Sequence, residues 1–276
     1  KGLHNTIMES NGTGNAVSTT DVFTWVLKSK DSDGRFYLTE QNDTRSRMLT
    51  KFSIEVKTSL GPVTLPSLQL DGRQARWVVT DYTLGNKTLL YASGEVLTYG
   101  TFDQTVVVFY LQEGQTGEFA FKSQESITYV SYGADSNLTH GPRNSTGYSA
   151  FSYKQAKGAT VAHLSNGVLA YFLDIPTAWT FHAPPTTSDP NVNASHQIFV
   201  IGPYLVRTAS ISGETVVVLG DNANATTIVV YAGQNVKKIS WNGQDLTTSK
   251  TPYGSLTADI TGTENRKIVL PDLNGF

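Results

Sequence analysis

The chain has 276 residues, no cysteine, and 21 basic against 23 acidic side chains, for a formal net charge of -2. That length suits one large domain or two ordinary ones. The balanced charge gives no electrostatic case for nucleic acid or an anionic membrane surface, and the lack of cysteine excludes disulfides, thiolate nucleophiles and Cys-based metal sites.

Residues 1–20 carry Asn11, Gly12 and Gly14 among small polar side chains, show no apolar periodicity, and read as a leader or linker. Lys1 opens the chain without a basic and apolar signal segment, and no apolar run approaches the roughly 18 residues of a membrane span, so a mature or excised piece is expected. From Asp21 onward apolar residues recur with period two. Phe52, Ile54 and Val56 alternate with Ser53, Glu55 and Lys57, as in a strand with one buried face. Similar runs predict strands at Val22 to Leu27, Arg35 to Thr39, Ala75 to Tyr82, Leu89 to Tyr91, Val96 to Tyr99 and Thr105 to Leu111. Gly34, Gly61-Pro62, Asp71-Gly72, Gly85-Asn86, Gly94 and Gly114 separate them at the spacing of a sandwich or barrel.

Further strands are expected at Phe119 to Lys122, Ile127 to Tyr132, Thr160 to Leu164, Val168 to Asp174 and Ala178 to His182. The stretch HAPPTTSDPNVNASH, His182 to His196, then reads as an exposed loop near a domain boundary, with one helical turn from Ser188 through Pro190. Beyond it, runs at Tyr204 to Ile211, Thr215 to Leu219, Thr226 to Tyr231, Lys237 to Trp241, Gln244 to Leu246, Leu256 to Ile260 and Lys267 to Leu270 match an immunoglobulin-like sandwich in number and length. The expected organisation is all-β: a leader over 1–20, a larger antiparallel domain over 21–197, and a sandwich over 198–276. No internal repeat is evident.

Within ISWNGQDL, Ile239 to Leu246, Trp241 precedes Asn242-Gly243. An exposed indole can stack on a sugar ring, whereas Asn-Gly favours a type I′ hairpin turn, which needs positive φ at both central positions. Ile239 and Trp241 share one strand face and Leu246 can return across the turn, so the hairpin is the preferred reading.

The chemistry-bearing motifs are few. Gly-x-Ser-x-Gly, His-Glu-x-x-His and phosphate-cradling glycine loops are absent. His4, His140, His163, His182 and His196 lack metal-like spacing, so neither a metal nor a cofactor is expected. A glycosidase carboxylate pair about 5 to 9 Å apart remains open on composition, yet most acids sit in turn settings such as Asp71-Gly72 and Asp221-Asn222. No catalytic residue is therefore assigned. Trp25, Trp77, Trp179 and Trp241 fit either a carbohydrate groove or a sheet core, with core preferred. Trp179, beside Phe181, His182 and the Pro-rich loop, and Trp241 are the two candidates for sugar contact. Asn-x-Ser/Thr acceptors occur at Asn11, Asn42, Asn86, Asn137, Asn144, Asn193 and Asn224, roughly twice the number expected by chance, which favours a secreted glycoprotein.

The stretch from Phe36 to Tyr99, beginning FYLTEQNDTRSRMLTKFSIEVK, resembles the second domain of large fungal family 35 β-galactosidases. YFLDIPTAWTFHAPP, Tyr171 to Pro185, resembles that domain's end. IFVIGPYLVRTASISGETVVVLGDNANATTIVVYAG, Ile198 to Gly233, followed by ISWNGQDL, resembles the third domain. The resemblance implies two antiparallel β domains with Greek-key connections, placed after a (β/α)₈ barrel whose paired glutamates perform retaining hydrolysis of β-galactosides. No stretch resembles the barrel or the terminal jelly-roll domains. Three readings follow: a catalytically silent accessory fragment whose partners are those domains, a lectin-like module that binds carbohydrate itself, or a portion of a longer enzyme cut from the rest.

Overall fold

The computed structural model describes residues 5–12, 17–133, 138–141, 147–187, 193–222 and 224–261. The strand expected at Lys267 to Leu270, the helical turn at Ser188 to Pro190, His4, and the acceptors Asn137 and Asn144 lie outside them. The chain divides into two compact units, Lys1–Ala178 and Trp179–Phe276, a division earlier in the chain than the one expected after residue 197.

The first unit contains strands β1 (Thr6–Gly12), β2 (Val22–Ser29), β3 (Arg35–Gln41), β4 (Leu49–Thr58), β5 (Gly61–Asp71), β6 (Ala75–Leu84), β7 (Lys87–Ala92), β8 (Glu95–Thr101), β9 (Thr105–Leu111), β10 (Thr116–Lys122), β11 (Tyr129–Tyr132), β12 (Thr139–His140), β13 (Tyr148–Lys154), β14 (Ala159–Leu164) and β15 (Val168–Asp174). Eight of them form one sheet in the order β1-β2-β3-β6-β7-β10-β13-β12, and five form a second in the order β11-β14-β15-β9-β8. Only β9 and β15 run parallel in that second sheet. The β4–β5 hairpin covers the other face of the large sheet.

Two apolar layers result from alternation along the large sheet. Phe36, Val79, Leu89, Phe119 and Phe151 face the five-stranded sheet and meet Val107, Phe109 and Phe172. Their neighbours Tyr37, Val78, Leu90, Ala120 and Ala150 face the hairpin and meet Phe52, Ile54, Val56, Leu65, Leu68 and Leu70. Strands covered on both faces lose the polar half of the alternation, and β15 is buried at every position. Phe109, Phe119, Phe151 and Phe172 stack with centroids 5.1–5.6 Å apart.

Four differences from the sequence expectation have local causes. Thr6–Gly12, in the stretch read as a leader, pairs with β2 at the sheet's edge, where an apolar face is not required. β5 contains Pro62, read as part of a Gly-Pro turn, and also Pro66, but its only ladder among the described residues is with β4, so a missing N–H costs no second ladder. No strand is among those expected over residues 148–154, yet β13 pairs along its length with β10. The strand expected at Ala178 to His182 is confined to Phe181–His182, after a turn at residues 179–180 that follows a single helical turn, α1 (Ile175–Ala178). Asp174 caps it, accepting from the Thr177 N–H at 2.9 Å, the arrangement that satisfies an otherwise orphaned donor.

The second unit contains β16 (Phe181–His182), β17 (Phe199–Ile201), β18 (Leu205–Ser212), β19 (Thr215–Asp221), β20 (Thr226–Tyr231), β21 (Lys238–Trp241), β22 (Gln244–Asp245), β23 (Ser249–Lys250) and β24 (Leu256–Ile260). Its sheets, β16-β17-β20-β24-β23 and β18-β19-β21-β22, enclose Val200, Val216, Val218, Ile228, Val230, Ile239, Trp241 and Leu256. Trp241 pairs with Gln244 across a two-residue loop in which Asn242 and Gly243 both have positive φ, 53° and 86°. This is the predicted hairpin turn. Gly220 makes room for it: a Cβ there would stand 2.6 Å from the Trp241 ring and 2.2 Å from the Leu205 carbonyl oxygen.

Candidate functional site

The most developed polar site in the first unit forms where β7 ends and β8 begins. At the start of β6, beyond the last residue paired with β7, the Trp77 N–H has no strand partner on that side. The Glu95 carboxylate supplies one, accepting from Trp77 N at 3.0 Å. In return Arg76 reaches the corner, donating from Nε and Nη2 to the Ser93 carbonyl at 2.9 and 2.6 Å, and from Nη2 to the Thr116 carbonyl at 3.3 Å. Arg76 is completely buried and Glu95 nearly so. Close approach here requires glycine, since the Tyr153 ring occupies the space a Cβ would need at both Gly94 and Gly117.

Burial pushes the Glu95 carboxyl above the ordinary range, opposed by the Trp77 N–H, the Arg76 charge and the Tyr110 hydroxyl. Burial also lowers the Arg76 guanidinium, with Tyr153 and Glu95 acting the other way. The two charges act on each other electrostatically and each is hydrogen-bonded to backbone, as buried charges require, although Arg76 Nη1 is buried without a hydrogen-bond partner.

β8 is an edge strand, and its pairing with β9 shifts between Val96 and Thr98. Such a bulge re-aims side chains. Leu97 is turned to the surface, and beside it opens a cleft of about 220 Å³ lined by Phe36, Trp77, Tyr82, Glu95, Leu97 and Tyr110, among others. Tyr82 is held edge-on between Phe36 and Tyr99, with centroids 5.7 and 5.9 Å away. Aromatic walls, a carboxylate and a hydroxyl thus line one cleft.

Each other buried carboxylate serves the fold. Asp81, at a positive φ of 48°, accepts from the Ser59 N–H at 2.7 Å and pairs with Lys122 at 2.9 Å. Glu118 accepts from the Tyr91 hydroxyl at 2.7 Å, and Asp174 caps α1. Among the described residues no cluster of three His, Asp or Glu side chains could hold a metal. His140 packs on Tyr129 and Phe151, the His163 ring meets Gln104 at 3.0 Å, and His182 Nε2 donates to the Pro203 carbonyl at 3.1 Å.

The two tryptophans proposed for sugar contact separate. Trp241 is 3% exposed inside the sandwich core, so its indole offers no face to a ligand; the same turn that exposes Asn-Gly in sequence folds the indole inward. Trp179 is 78% exposed. Trp25 and Trp77 are half-buried, and Trp25 Nε1 donates to Glu40 at 3.1 Å. Asn42, Asn86, Asn193 and Asn224 have exposed side chains, and Asn11 lies in β1. Sequence reasoning assigned no role to Arg76 or Glu95.

The domain family described as "Beta-galactosidase, domain 2" matches residues 3–181, and "Beta-galactosidase, domain 3" matches residues 179–257. The chain belongs to the β-galactosidase family. It is 49% identical over 99% of its length to a "Probable beta-galactosidase C" of Sclerotinia sclerotiorum. Proteins with the same description from Aspergillus niger and Aspergillus fumigatus are 46% and 48% identical over 100% of it. The chain spans 28% of the length of each of these relatives. As β-galactosidase domains, the two units are nearly all β, without the strand and helix alternation of a barrel among the described residues.

Proposed function

We propose that the chain is a non-catalytic accessory portion of a secreted family 35 β-galactosidase. Retaining hydrolysis of terminal β-galactosides is then carried by two glutamates of a barrel elsewhere in the longer enzyme, and that barrel and terminal jelly-roll domains are the partners of this portion. The observation that carries the reading is the match to domains 2 and 3 alone, over 28% of the relatives' length. The engagement of every buried carboxylate among the described residues in strand corners, ion pairs or caps supports it. A nitrophenyl-β-galactoside assay on the homogeneous chain should show no turnover; activity that persists through removal of any longer enzyme overturns the reading.

Secretion is proposed on the acceptors with exposed side chains, Asn42, Asn86, Asn193 and Asn224. Chain isolated from its native source should lose mass on treatment with an amidase specific for N-glycans, and an unchanged mass counts against the proposal.

A carbohydrate-binding role is the second reading. It is favoured by the aromatic cleft beside β8 and by the exposed indole of Trp179.

A further inference from the structure

We propose that the cleft beside the β8 bulge binds one pyranose ring of a neutral sugar, with Glu95 accepting its hydroxyls and the Trp77 and Tyr82 rings forming its apolar wall. The inference rests on the carbohydrate-binding reading and gives it a place. Four features of the site select this chemistry.

The volume of about 220 Å³ lies below the roughly 300–1,000 Å³ of pockets that take drug-sized molecules, which limits the occupant to a single ring. The wall is rigid before any ligand arrives, because Tyr82 is fixed edge-on by Phe36 and Tyr99, and a preorganised wall spares the ligand an ordering cost. The CH-bearing face of a pyranose suits such a surface.

A carboxylate offers about four acceptor positions. Glu95 uses one for the Trp77 N–H and another for the Tyr110 hydroxyl, leaving acceptors for ligand hydroxyls, while Thr98 adds a hydroxyl to the rim. Charge decides the ligand's own charge. Arg76, next in the chain to the Trp77 whose N–H binds Glu95, counters part of the carboxylate charge, which weakens the cleft as a cation trap despite its aromatic rings. No Lys or Arg lines it, which disfavours phosphate and uronate. A neutral polyol remains.

The test is a titration of the full chain with methyl β-galactopyranoside and methyl β-glucopyranoside, followed by saturation-transfer NMR and tryptophan fluorescence. Wild-type chain is expected to bind at least one of the two in the millimolar range. Glu95→Gln, which keeps an acceptor for Trp77 but loses the charge, should weaken binding about tenfold, the loss of one charge-assisted hydrogen bond. Leu97→Arg, at the exposed mouth, should block the cleft without touching the core, and it carries the test alone if the Glu95 variant fails to fold. Tyr204→Ala, at an exposed aromatic in no candidate site, should leave affinity unchanged, whereas Trp179→Ala tests the other exposed aromatic.

Binding that survives both cleft variants overturns the site while leaving carbohydrate binding intact. Binding lost in Trp179→Ala alone moves it to the second unit, with the same consequence. No binding of either glycoside to wild type overturns both the site and the reading on which it rests. Displacement of the sugar by tetramethylammonium or inorganic phosphate at equal concentration overturns the neutral-ligand assignment.

Discussion

The two units close their strand corners with different chemistry. In the first, the buried guanidinium of Arg76 captures the Ser93 and Thr116 carbonyls and the Glu95 carboxylate captures the Trp77 N–H. In the second, the Asn242 amide does both tasks: Oδ1 accepts from the Gly220 N–H at 3.1 Å and Nδ2 donates to the Gly220 carbonyl at 3.0 Å. Each device satisfies backbone groups that a turning chain leaves unpaired. The charged version carries a desolvation cost that its hydrogen bonds must offset, and it leaves a polar cleft at a sheet edge. The amide version is neutral and lets Trp241 close over Gly220. Among the described residues no Lys, Arg, Asp or Glu is buried in the second unit, whereas the first buries Arg76, Asp81, Glu95, Glu118 and Asp174.

The largest expected effect comes from breaking the charged corner. Arg76→Ala strands two carbonyls and leaves Glu95 buried without its compensating charge, so a loss of about 3–5 kcal/mol is expected. Hydrogen exchange should show that loss at amides of β6, β7 and β10 and spare β19 and β21. Equal loss in both units would remove the distinction. Next comes Gly220→Ala, whose Cβ would press on the Leu205 carbonyl and the Trp241 ring. About 3 kcal/mol is expected from overpacking, confined to the second unit, with a shift in Trp241 fluorescence. Asn242→Ala should cost about 2 kcal/mol from the lost hydrogen bonds and the strained φ. Asn242→Gly recovers only the backbone part, so the gap between the two variants measures the strain, and identical stabilities would show that the amide alone matters.

These corners also mark the limit of what the sequence discloses. Trp241-Asn242-Gly243 is legible because a type I′ turn is decided by two adjacent residues and the strand face by Ile239 two positions away. Strands β2 and β4 are legible because one-sided burial leaves an alternating record. β5 is hidden by prolines that only a two-stranded hairpin tolerates. Arg76 and Glu95 leave no local trace, since their partners lie 17 and 18 residues away and meet only after the sheet has formed. The nearest clue is Gly94, read as a turn, whose small size also admits the Tyr153 ring.

The smallest expected effect sets the two units moving in opposite directions with pH. In the first, burial raises the Glu95 carboxyl above its ordinary value of 4.5 despite Trp77, Arg76 and Tyr110. The folded state therefore binds the proton more tightly than the unfolded chain, and stability from this group falls as pH rises from about 4.5 through the raised value. In the second, burial lowers the half-buried His182 below 6.5, partly opposed by its bond to the Pro203 carbonyl. There the folded state favours the neutral ring, so stability rises as pH climbs through the lowered value to about 6.5. Glu9, lowered chiefly by its hydrogen bond to Arg35, adds a slope of the opposite sign to that of Glu95 at lower pH, so each variant must be compared with wild type. Unfolding followed separately in each unit between pH 4 and 7 should show Glu95→Gln gaining on wild type as pH rises in the first, and His182→Gln gaining on wild type as pH falls in the second. If Glu95→Gln instead loses ground with rising pH, the carboxylate is held in its ionised form by Arg76, and the first unit's corner is a true ion pair.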